Sequence, residues 1–175
     1  MHPEALTWVR WSVLAFDDIR GRVLEFGGRN VNGGVRDVIP STAWLSVDIA
    51  PGADVDVVAN AATVEVEPGT WDVVVSTELL EHTPEGEAIV ANAYRHLRDG
   101  GWFVATMAGP GRKPHSATGQ RDVPAGEHYA NVDPDELAQW LEAAGFTTYE
   151  VNVLRDDTRC IARKGEPWPT PQPQS

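Results

Sequence analysis

The hydrophobic residues of this 175-residue chain fall into short, valine-rich runs separated by polar segments that contain glycine, proline and aspartate. Apolar runs of this length are typical of strands buried on both faces of a parallel sheet. The pattern predicts strands at residues 23–26, 44–47, 55–59, 71–75 and 102–107. Two further runs, at 147–154 and 158–162, flank Arg155, Asp156 and Asp157, and they predict an antiparallel hairpin at the edge of the sheet.

Apolar residues at three- and four-residue spacing predict a helix over residues 4–19, before the first strand. Trp8 and Trp11 lie on or beside its apolar face. We expect them to dock the helix on the sheet as part of the core. The alternative is that this N-terminal segment forms a lid over a ligand. The residues that define the apolar face are Leu6, Val9, Val13, Phe16 and Ile19.

Two more helices are predicted from their termini as well as from their apolar faces. Thr83 can cap the second helix, and Gly100 is expected to end it. Asp133 begins the third helix, where Glu136 would complete a capping box, and Gly145 ends it. The apolar face of the second helix consists of Ile89, Val90, Ala93, Tyr94 and Leu97.

Strands that alternate with helices predict an α/β fold, arranged as one Rossmann-like three-layer domain over residues 1–164. The N-terminal helix would occupy residues 1–20. Residues 108–132 form a long loop of glycine, proline, histidine and charged residues, and a loop of this length usually has a function. We expect it to cover a substrate. Residues 165–175 are rich in proline and are predicted to be a disordered tail.

Composition narrows the classes of function. The formal net charge of −12 disfavours a nucleic-acid partner, since the basic residues are scattered except at Arg112, Lys113 and Arg121. Cys160 is the only cysteine, which excludes a disulfide framework and a multi-cysteine zinc site. No secretory leader or membrane span is predicted, so we expect a soluble, cytoplasmic protein without a membrane partner. The sequence predicts no particular oligomeric state.

The segment RVLEFGGRNVNGG, which begins at Arg22, contains the first strand and a glycine-rich loop that follows it. Glycine lets a ligand approach the backbone, so we expect the N–H groups of this loop to face a polar ligand. The alternative is an ordinary strand-to-helix turn. The loop lacks the Gly-Lys-Ser/Thr ending of a P-loop. It also breaks the dinucleotide pattern G-x-G-x-x-G, because Gly27 and Gly28 are adjacent and Arg29 follows them.

Polar residues follow the next strands at positions that suit a nucleotide. Asp48 lies about 20 residues beyond the glycine loop, where nucleotide-binding α/β folds place an acid that accepts hydrogen bonds from ribose hydroxyls. The alternative interpretation is that Asp48 is simply a polar residue at the end of a strand. Asn60 could pair with an adenine edge, since its amide both donates and accepts, or it could be a turn residue. The segment from Ser76 to His82 should face the same crevice, because ligands bind beyond the carboxyl ends of parallel strands.

Three stretches of the chain resemble the class I S-adenosylmethionine-dependent methyltransferases. WDVVVSTELLEHT is similar to the fourth-strand signature of small-molecule methyltransferases in the ubiquinone-biosynthesis-like group. YRHLRDGGWFVATMAGPG is similar to that family's helix, Gly-Gly turn and fifth strand, and HYANVDPDELAQWLEAAGF to its late helix. The resemblance implies a seven-stranded, mostly parallel sheet with one reversed strand, S-adenosyl-L-methionine as cofactor, and O-, N- or C-methylation of a small-molecule acceptor.

The resemblance also implies which residues bind the cofactor. Arg29 and Val31 replace the later glycines of the family's loop, so Asn30, Asn32 and Gly33 would supply the unusual backbone angles. The resemblance places Asp48 at the ribose, and it places Asn60 and Ala61 beside the adenine. The full cofactor-binding set is Glu25, Gly27, Gly28, Arg29, Asn32, Asp48, Ile49, Asn60, Ala61, Ser76, Thr77 and Glu78.

An oxygen or carbon acceptor would also need a general base, and histidine has a suitable intrinsic pKa. His128, beside Tyr129, is the first candidate, and His82 is another. His115 lies with His128 in the long loop of residues 108–132. Each of these histidines could equally have a structural role.

A separate hypothesis is that Glu78, Glu81 and His82, spaced E-x-x-E-H, bind a divalent cation through oxygen and imidazole ligands. The spacing alone is weak support, so the set of site residues includes no metal ligand.

Other classes of function remain as alternatives. A nucleic-acid methyltransferase would need a basic surface, and no Asp/Asn-Pro-Pro-Tyr/Phe sequence follows the fourth strand. The broken glycine pattern disfavours a nicotinamide-dependent oxidoreductase. A non-catalytic adenosyl-binding module would show the same cofactor-binding residues without turnover.

Overall fold

A computed structural model describes residues 3–169 of the chain as one seven-stranded sheet with helices on both faces. The strand order is β3-β2-β1-β4-β5-β7-β6, and only β7 runs against the others, as the sequence predicted. The helices are α1 (Pro3–Ala15), α2 (Gly86–His96) and α3 (Pro134–Ala144). The strands are β1 (Gly21–Phe26), β2 (Ser41–Asp48), β3 (Val57–Val58), β4 (Trp71–Thr77), β5 (Leu97–Ala108), β6 (Thr148–Leu154) and β7 (Asp157–Arg163).

The core lies on the two faces of this sheet because successive side chains of a strand point to opposite sides. Leu24 and Phe26 of β1 pack on one side in a cluster with the apolar faces of α2 and α3. Val23 points to the other side, where Val9 of α1 and Trp102 of β5 belong to its cluster. The three-layer α/β architecture is therefore confirmed, with α1 alone on one face and α2 and α3 together on the other.

Helix α1 is shorter than predicted and ends at Ala15. Trp8 is half-buried and packs against the core, as expected, but the prediction for Trp11 is wrong, since its side chain is 65% exposed. The reason is the helical period: two residues beyond the buried Val9, Trp11 is rotated by about 200° and points away from the sheet.

Helix α2 differs from its prediction at both ends. It begins at Gly86, and Thr83 lies before it, where its hydroxyl accepts a hydrogen bond from the backbone N–H of Glu85. The helix ends at His96, because the chain continues directly into β5 and Gly100 lies within that strand. A short 3-10 turn, Leu80–His82, connects β4 to the segment before α2.

Helix α3 has the predicted position and ends at Gly145, whose φ of +107° is the left-handed conformation that glycine favours. The predicted capping box is not formed among the described residues. The carboxylate of Asp133 instead accepts a hydrogen bond of 2.9 Å from the backbone N–H of Asp135.

The long loop and the tail complete the chain. The described structure contains no helix or strand between Ala108 and Pro134, in agreement with the predicted loop. In the described part of the tail, Trp168 stacks on Phe16 and Trp102 with ring centroids 5.4 and 5.6 Å apart. The disorder of residues 165–175 stays a prediction. Residues 1–2 and 170–175 lie outside the described residues. No helix within residues 3–169 has the length and hydrophobicity needed to cross a membrane.

Candidate cofactor and acceptor site

A cavity of about 530 Å³ opens beyond the carboxyl ends of β1, β2 and β4. This is the position at which open α/β sheets bind their ligands, and the volume is in the usual range of small-molecule sites. The glycine loop, the ends of β2 and β4, and the first part of the long loop all contribute to its lining. Pro3, where α1 begins, also lines it.

The glycine loop does not present its first N–H groups to the cavity, contrary to the prediction. The N–H groups of Gly27 and Gly28 both donate to the carbonyl of Val47, at 2.8 and 3.2 Å, and so continue the pairing of β1 with β2. The N–H of Arg29 donates to the Asp48 carboxylate. The start of the loop is therefore fixed to the end of β2 rather than open to a ligand.

The unusual backbone angles of the loop are supplied by glycine alone. Gly27 and Gly33 have positive φ values of +76° and +103°, whereas the predicted contributions from Asn30 and Asn32 are not observed. The side-chain carbonyl of Asn30 instead accepts a hydrogen bond from the backbone N–H of Gly33 at 2.9 Å. Asn30 thus stabilises the turn through its side chain.

Gly28 is the most sterically restricted position of the loop. A Cβ atom there would lie 1.8 Å from the Ser46 hydroxyl oxygen and 2.7 Å from a carboxylate oxygen of Glu25. At Gly34, which also lines the cavity, a Cβ atom would meet nothing within 4 Å. The two glycines therefore have different reasons to be present, and only Gly28 is required by packing.

Asp48 is held rigidly at the wall of the cavity. One carboxylate oxygen accepts from the backbone N–H of Arg29 at 3.2 Å and the other from that of Ala50 at 3.0 Å. The residue is only 9% exposed, and the neighbouring Ile49, which also lines the cavity, is 74% exposed. The cavity thus combines a fixed carboxylate with an uncovered apolar side chain, which can together bind a ribose hydroxyl pair and a flat apolar base.

Glu25 is a buried acid that also lines the cavity. Its carboxylate accepts a hydrogen bond of 3.0 Å from the indole N–H of Trp44. Burial raises the pKa of Glu25 to about 7, and the hydrogen bond from Trp44 opposes this shift. The carboxyl group therefore changes charge near neutral pH.

We expect Glu25 to make the protein less stable as the pH rises from 5 to 8. The unfolded chain releases this proton near the ordinary pKa of 4.5, whereas the folded chain keeps it until about pH 7. Between these values the unfolded state binds fewer protons, so the contribution of Glu25 to the free energy of unfolding falls by about 2.5 kcal/mol from pH 5 to pH 8. Urea unfolding at pH 5 and at pH 8 should show that the free energy of unfolding declines less in Glu25→Gln than in wild type, by this amount. Substitution of the exposed Glu87 by glutamine should leave the decline unchanged, and an equal decline in wild type and Glu25→Gln would contradict the prediction.

Asn60 and Ser76 were both predicted to bind the cofactor, but of the two only Asn60 lines the cavity. The Asn60 carbonyl accepts from the N–H of Ala62 at 2.8 Å, and its amide donates to Glu85 at 2.9 Å, which is the turn role. Asn60 and Ala61 nevertheless line the cavity, as does Thr77. Ser76 is fully buried in β4 and is not among the lining residues.

Glu78 and Arg112 meet at the cavity wall. Glu78 has a positive φ of +57°, and its Oε2 lies 3.3 Å from Nη2 of Arg112. Arg112 comes from the long loop and also pairs with Asp157 at the start of β7. The sequence set Arg112 apart only as one of a few basic residues near each other, with Lys113 and Arg121. Its partners were not predicted, because they lie 34 and 45 positions away and no local pattern predicts their contact.

The candidate general bases are not equally placed. His82 lines the cavity, whereas His128 is exposed and neither it nor Tyr129 is a lining residue. Burial, reinforced by the nearby His115, lowers the pKa of His82 to about 4. His82 is therefore neutral at physiological pH and can accept a proton. The rings of His82, His115 and Tyr129 contact one another, with centroids 5.1 to 5.6 Å apart.

A group of possible metal ligands lies in the same region, but it differs from the predicted one. Potential ligand atoms of Glu81, His82 and His115 lie within 4.8 Å of one another. Burial, and then the charge of Glu78, raises the pKa of Glu81 to about 8. Glu78 itself is not part of this group, because its carboxylate faces Arg112.

The seven-stranded sheet with its reversed β7, together with a cavity walled by Asp48 at the strand ends, defines the fold of the class I S-adenosylmethionine-dependent methyltransferases. Residues 10–151 match a family model described as a methyltransferase domain, and the chain belongs to this family.

Proteins similar to this chain include ubiquinone biosynthesis O-methyltransferases. That of Burkholderia thailandensis is 32% identical over 117 residues, which cover 62% of this chain and 50% of that protein. That of Paraburkholderia xenovorans is 31% identical over 148 residues, covering 77% and 64%. The chain thus spans about half the length of the first of these relatives.

A solved structure shows the same fold at low identity. It is 1,6-didemethyltoxoflavin-N1-methyltransferase from Burkholderia thailandensis, with bound 1,6-didemethyltoxoflavin and S-adenosylhomocysteine. It matches with a TM-score of 0.66 at 16% identity and covers 94% of this chain and 78% of that chain.

Proposed function

We propose that this chain is an S-adenosylmethionine-dependent methyltransferase that acts on a small-molecule acceptor. The observation that carries the proposal is the fixed carboxylate of Asp48 in the wall of a cavity at the strand ends, within a chain of the methyltransferase-domain family. Curated relatives are named as O-methyltransferases of ubiquinone biosynthesis, which supports an acceptor of small-molecule size.

The residues of the cavity fit the cofactor. Asp48 would accept hydrogen bonds from the ribose hydroxyls, and the exposed Ile49 with Ala61 would contact the adenine. The cofactor's amino-acid part would lie near Gly27, Thr77 and Glu78, where a carboxylate and carbonyl groups suit a positively charged ligand. Ser76 would support this wall from inside β4 rather than through direct contact.

The bound cofactor supplies an electrophilic methyl group on a positively charged sulfur, so the protein mainly has to position the acceptor and exclude water. The long loop is suited to both tasks. His115, Ser116 and Gly119 line the cavity, and a Cβ atom at Gly119 would lie 2.8 Å from the Asn32 amide of the glycine loop. The two loops therefore approach each other closely over the site.

The charge of the chain supports a small acceptor over a polynucleotide. The formal net charge is −12, and the cavity includes the acids Glu25, Asp48, Glu78 and Glu85 against the bases Arg29 and Arg112. A phosphate backbone would be repelled from such a surface.

For an oxygen or carbon acceptor, we expect His82 to act as the general base. His82→Gln should lower kcat by about 100-fold, the lower end of the usual contribution of a positioned base, because its low pKa makes His82 a weak base. The affinity for S-adenosylmethionine should change less than about twofold, because a base contributes to the reaction rather than to cofactor binding. Turnover at saturating cofactor measures the first quantity, and calorimetry measures the second.

The exposed His128 provides the matched control for this prediction, since His128→Gln should retain full turnover. If His128→Gln loses activity and His82→Gln does not, the base is His128, the first candidate from the sequence. A nitrogen acceptor that is already unprotonated would need no base, and both variants would then be active.

The function itself is tested first by binding and then by turnover. Calorimetry should detect binding of S-adenosylmethionine and S-adenosylhomocysteine and no binding of NAD. Transfer of a labelled methyl group is then measured over a panel of small phenols, catechols, amines and carboxylates, with DNA and RNA as comparison substrates. Failure to bind the cofactor would contradict the proposal. Binding without transfer to any substrate would favour a non-catalytic adenosyl-binding module.

A further inference from the structure

Arg112 is a largely buried cation that joins three parts of the chain. Its side chain is 17% exposed, with one guanidinium nitrogen 3.3 Å from Glu78 Oε2 and another paired with Asp157 Oδ1. Its backbone is held at both sides: the N–H donates to the carbonyl of Gly109 at 3.1 Å, and the carbonyl accepts from the amide of Asn131 at 3.0 Å. The guanidinium is therefore fixed relative to the ends of β4, β5 and the long loop.

The Asp157 side of this arrangement is an anchor rather than a ligand site. The Asp157 side chain is 2% exposed, and its second oxygen lies 3.3 Å from Nη2 of the equally buried Arg159. Both carboxylate oxygens of Asp157 are thus occupied by cations. Only the other end of Arg112, at Glu78, reaches the cavity.

Glu78 depends on this partner for its orientation. It has a left-handed φ of +57°, which is unfavourable for a residue with a side chain, and its side chain is only 12% exposed. Without the guanidinium, the Glu78 carboxylate would be left in this largely buried position without its charged partner, and it would turn towards solvent. Within residues 3–169, its second oxygen, Oε1, has only a long contact of 3.5 Å to the Thr106 hydroxyl.

We propose that Arg112 is a positioning residue, which orients the Glu78 carboxylate so that Oε1 receives the ammonium group of the cofactor's amino-acid part. This inference rests on the proposed function. Arg112 is suited to the role because its planar guanidinium can bind two carboxylates at once, which the single ammonium of lysine cannot do in the same geometry.

The test compares two ligands that differ in the amino-acid part alone. S-adenosylhomocysteine carries this part and methylthioadenosine lacks it. Calorimetry on Arg112→Lys and on Glu78→Gln should show affinity for S-adenosylhomocysteine reduced about tenfold, the result expected from the loss of one charge-assisted hydrogen bond. The affinity for methylthioadenosine should stay within about twofold of wild type, because neither residue contacts the adenosine part.

The double variant tests whether Arg112 acts through Glu78. In a Glu78→Gln background, Arg112→Lys should lower the affinity for S-adenosylhomocysteine by less than about twofold, since the carboxylate that Arg112 orients is absent. The exposed Arg121→Lys, in the same loop, is the matched control and should change neither affinity.

Three results would overturn the inference: unchanged S-adenosylhomocysteine affinity in Arg112→Lys, equal losses for both ligands, or additive losses in the double variant. Equal losses would indicate a general distortion of the cavity. A wild-type protein that binds neither ligand would overturn the proposed function together with this inference. If the wild-type protein binds both ligands but the variants give one of the three results above, only the inference about Arg112 is overturned.

Discussion

Asp48→Asn is expected to reduce the affinity for S-adenosylmethionine by about 100-fold, or close to 3 kcal/mol. Both carboxylate oxygens of Asp48 accept backbone N–H groups, from Arg29 and from Ala50, and this fixes their remaining lone pairs for a ligand. Asparagine has one acceptor oxygen in place of two and turns an N–H₂ group towards one of these donors. The ribose hydroxyls would then lose a charged acceptor. The side chain at position 48 would also lose one of the two hydrogen bonds that it accepts from the backbone.

Calorimetry with S-adenosylmethionine measures this effect directly, and Asp37→Asn, at an exposed position before β2, is the matched control. The control variant should bind as tightly as wild type. A loss of less than threefold in Asp48→Asn would mean that this carboxylate does not contact the cofactor. A loss of thermal stability without a loss of affinity would assign Asp48 to the structure of the loop alone.

Gly28→Ala is expected to destabilise the fold by about 2 kcal/mol, within the usual range for overpacking of a tight interior. The new methyl group would lie 1.8 Å from the Ser46 hydroxyl oxygen and 2.7 Å from the Glu25 carboxylate, so that these buried side chains, or the strands that carry them, would have to shift at the cavity. For a chain of this size the midpoint of thermal unfolding should fall by about 5 °C. The affinity for S-adenosylmethionine should fall as well, because Gly28 and Glu25 both line the cavity.

Gly34→Ala is the matched control in the same loop, since a Cβ atom there meets nothing within 4 Å. This variant should unfold at the wild-type temperature or slightly above it, because alanine restricts the unfolded chain. Ser46→Ala should partly restore the stability of Gly28→Ala by removing the nearest obstructing atom. Equal midpoints for the two glycine variants would show that Gly28 is not limited by packing.

The strands and the order of helices were predictable because local hydrophobic patterns determine them. Each valine-rich run became a strand, and the antiparallel hairpin followed from two runs separated by a short polar turn. The position of Asp48 was also predictable, since it depends only on the end of one strand and its distance from the glycine loop. The helix boundaries were less predictable from local pattern. At Gly86, where α2 begins, the residue type is instead set by a tertiary contact, since a Cβ atom there would lie 2.5 Å from the Trp140 ring of α3.

The arrangement inside the cavity was less predictable, because it depends on contacts between residues far apart in sequence. Arg112 meets Glu78 and Asp157 only after the sheet has formed, and His115 joins Glu81 and His82 only through the path of the long loop. The glycine loop gives a second example. Its composition predicts close approach of a ligand to the backbone, but the N–H groups of Gly27 and Gly28 are used by the carbonyl of Val47.

The position of β7 has a consequence for how the chain acquires its structure. This strand comes later in the chain than β6 and yet lies between β5 and β6 in the sheet. During synthesis, β6 emerges from the ribosome before β7, its pairing partner in the described sheet, and the edge of β5 stays open until β7 arrives. We infer that the sheet is completed after translation of residue 163, in a late step that joins two previously exposed edges.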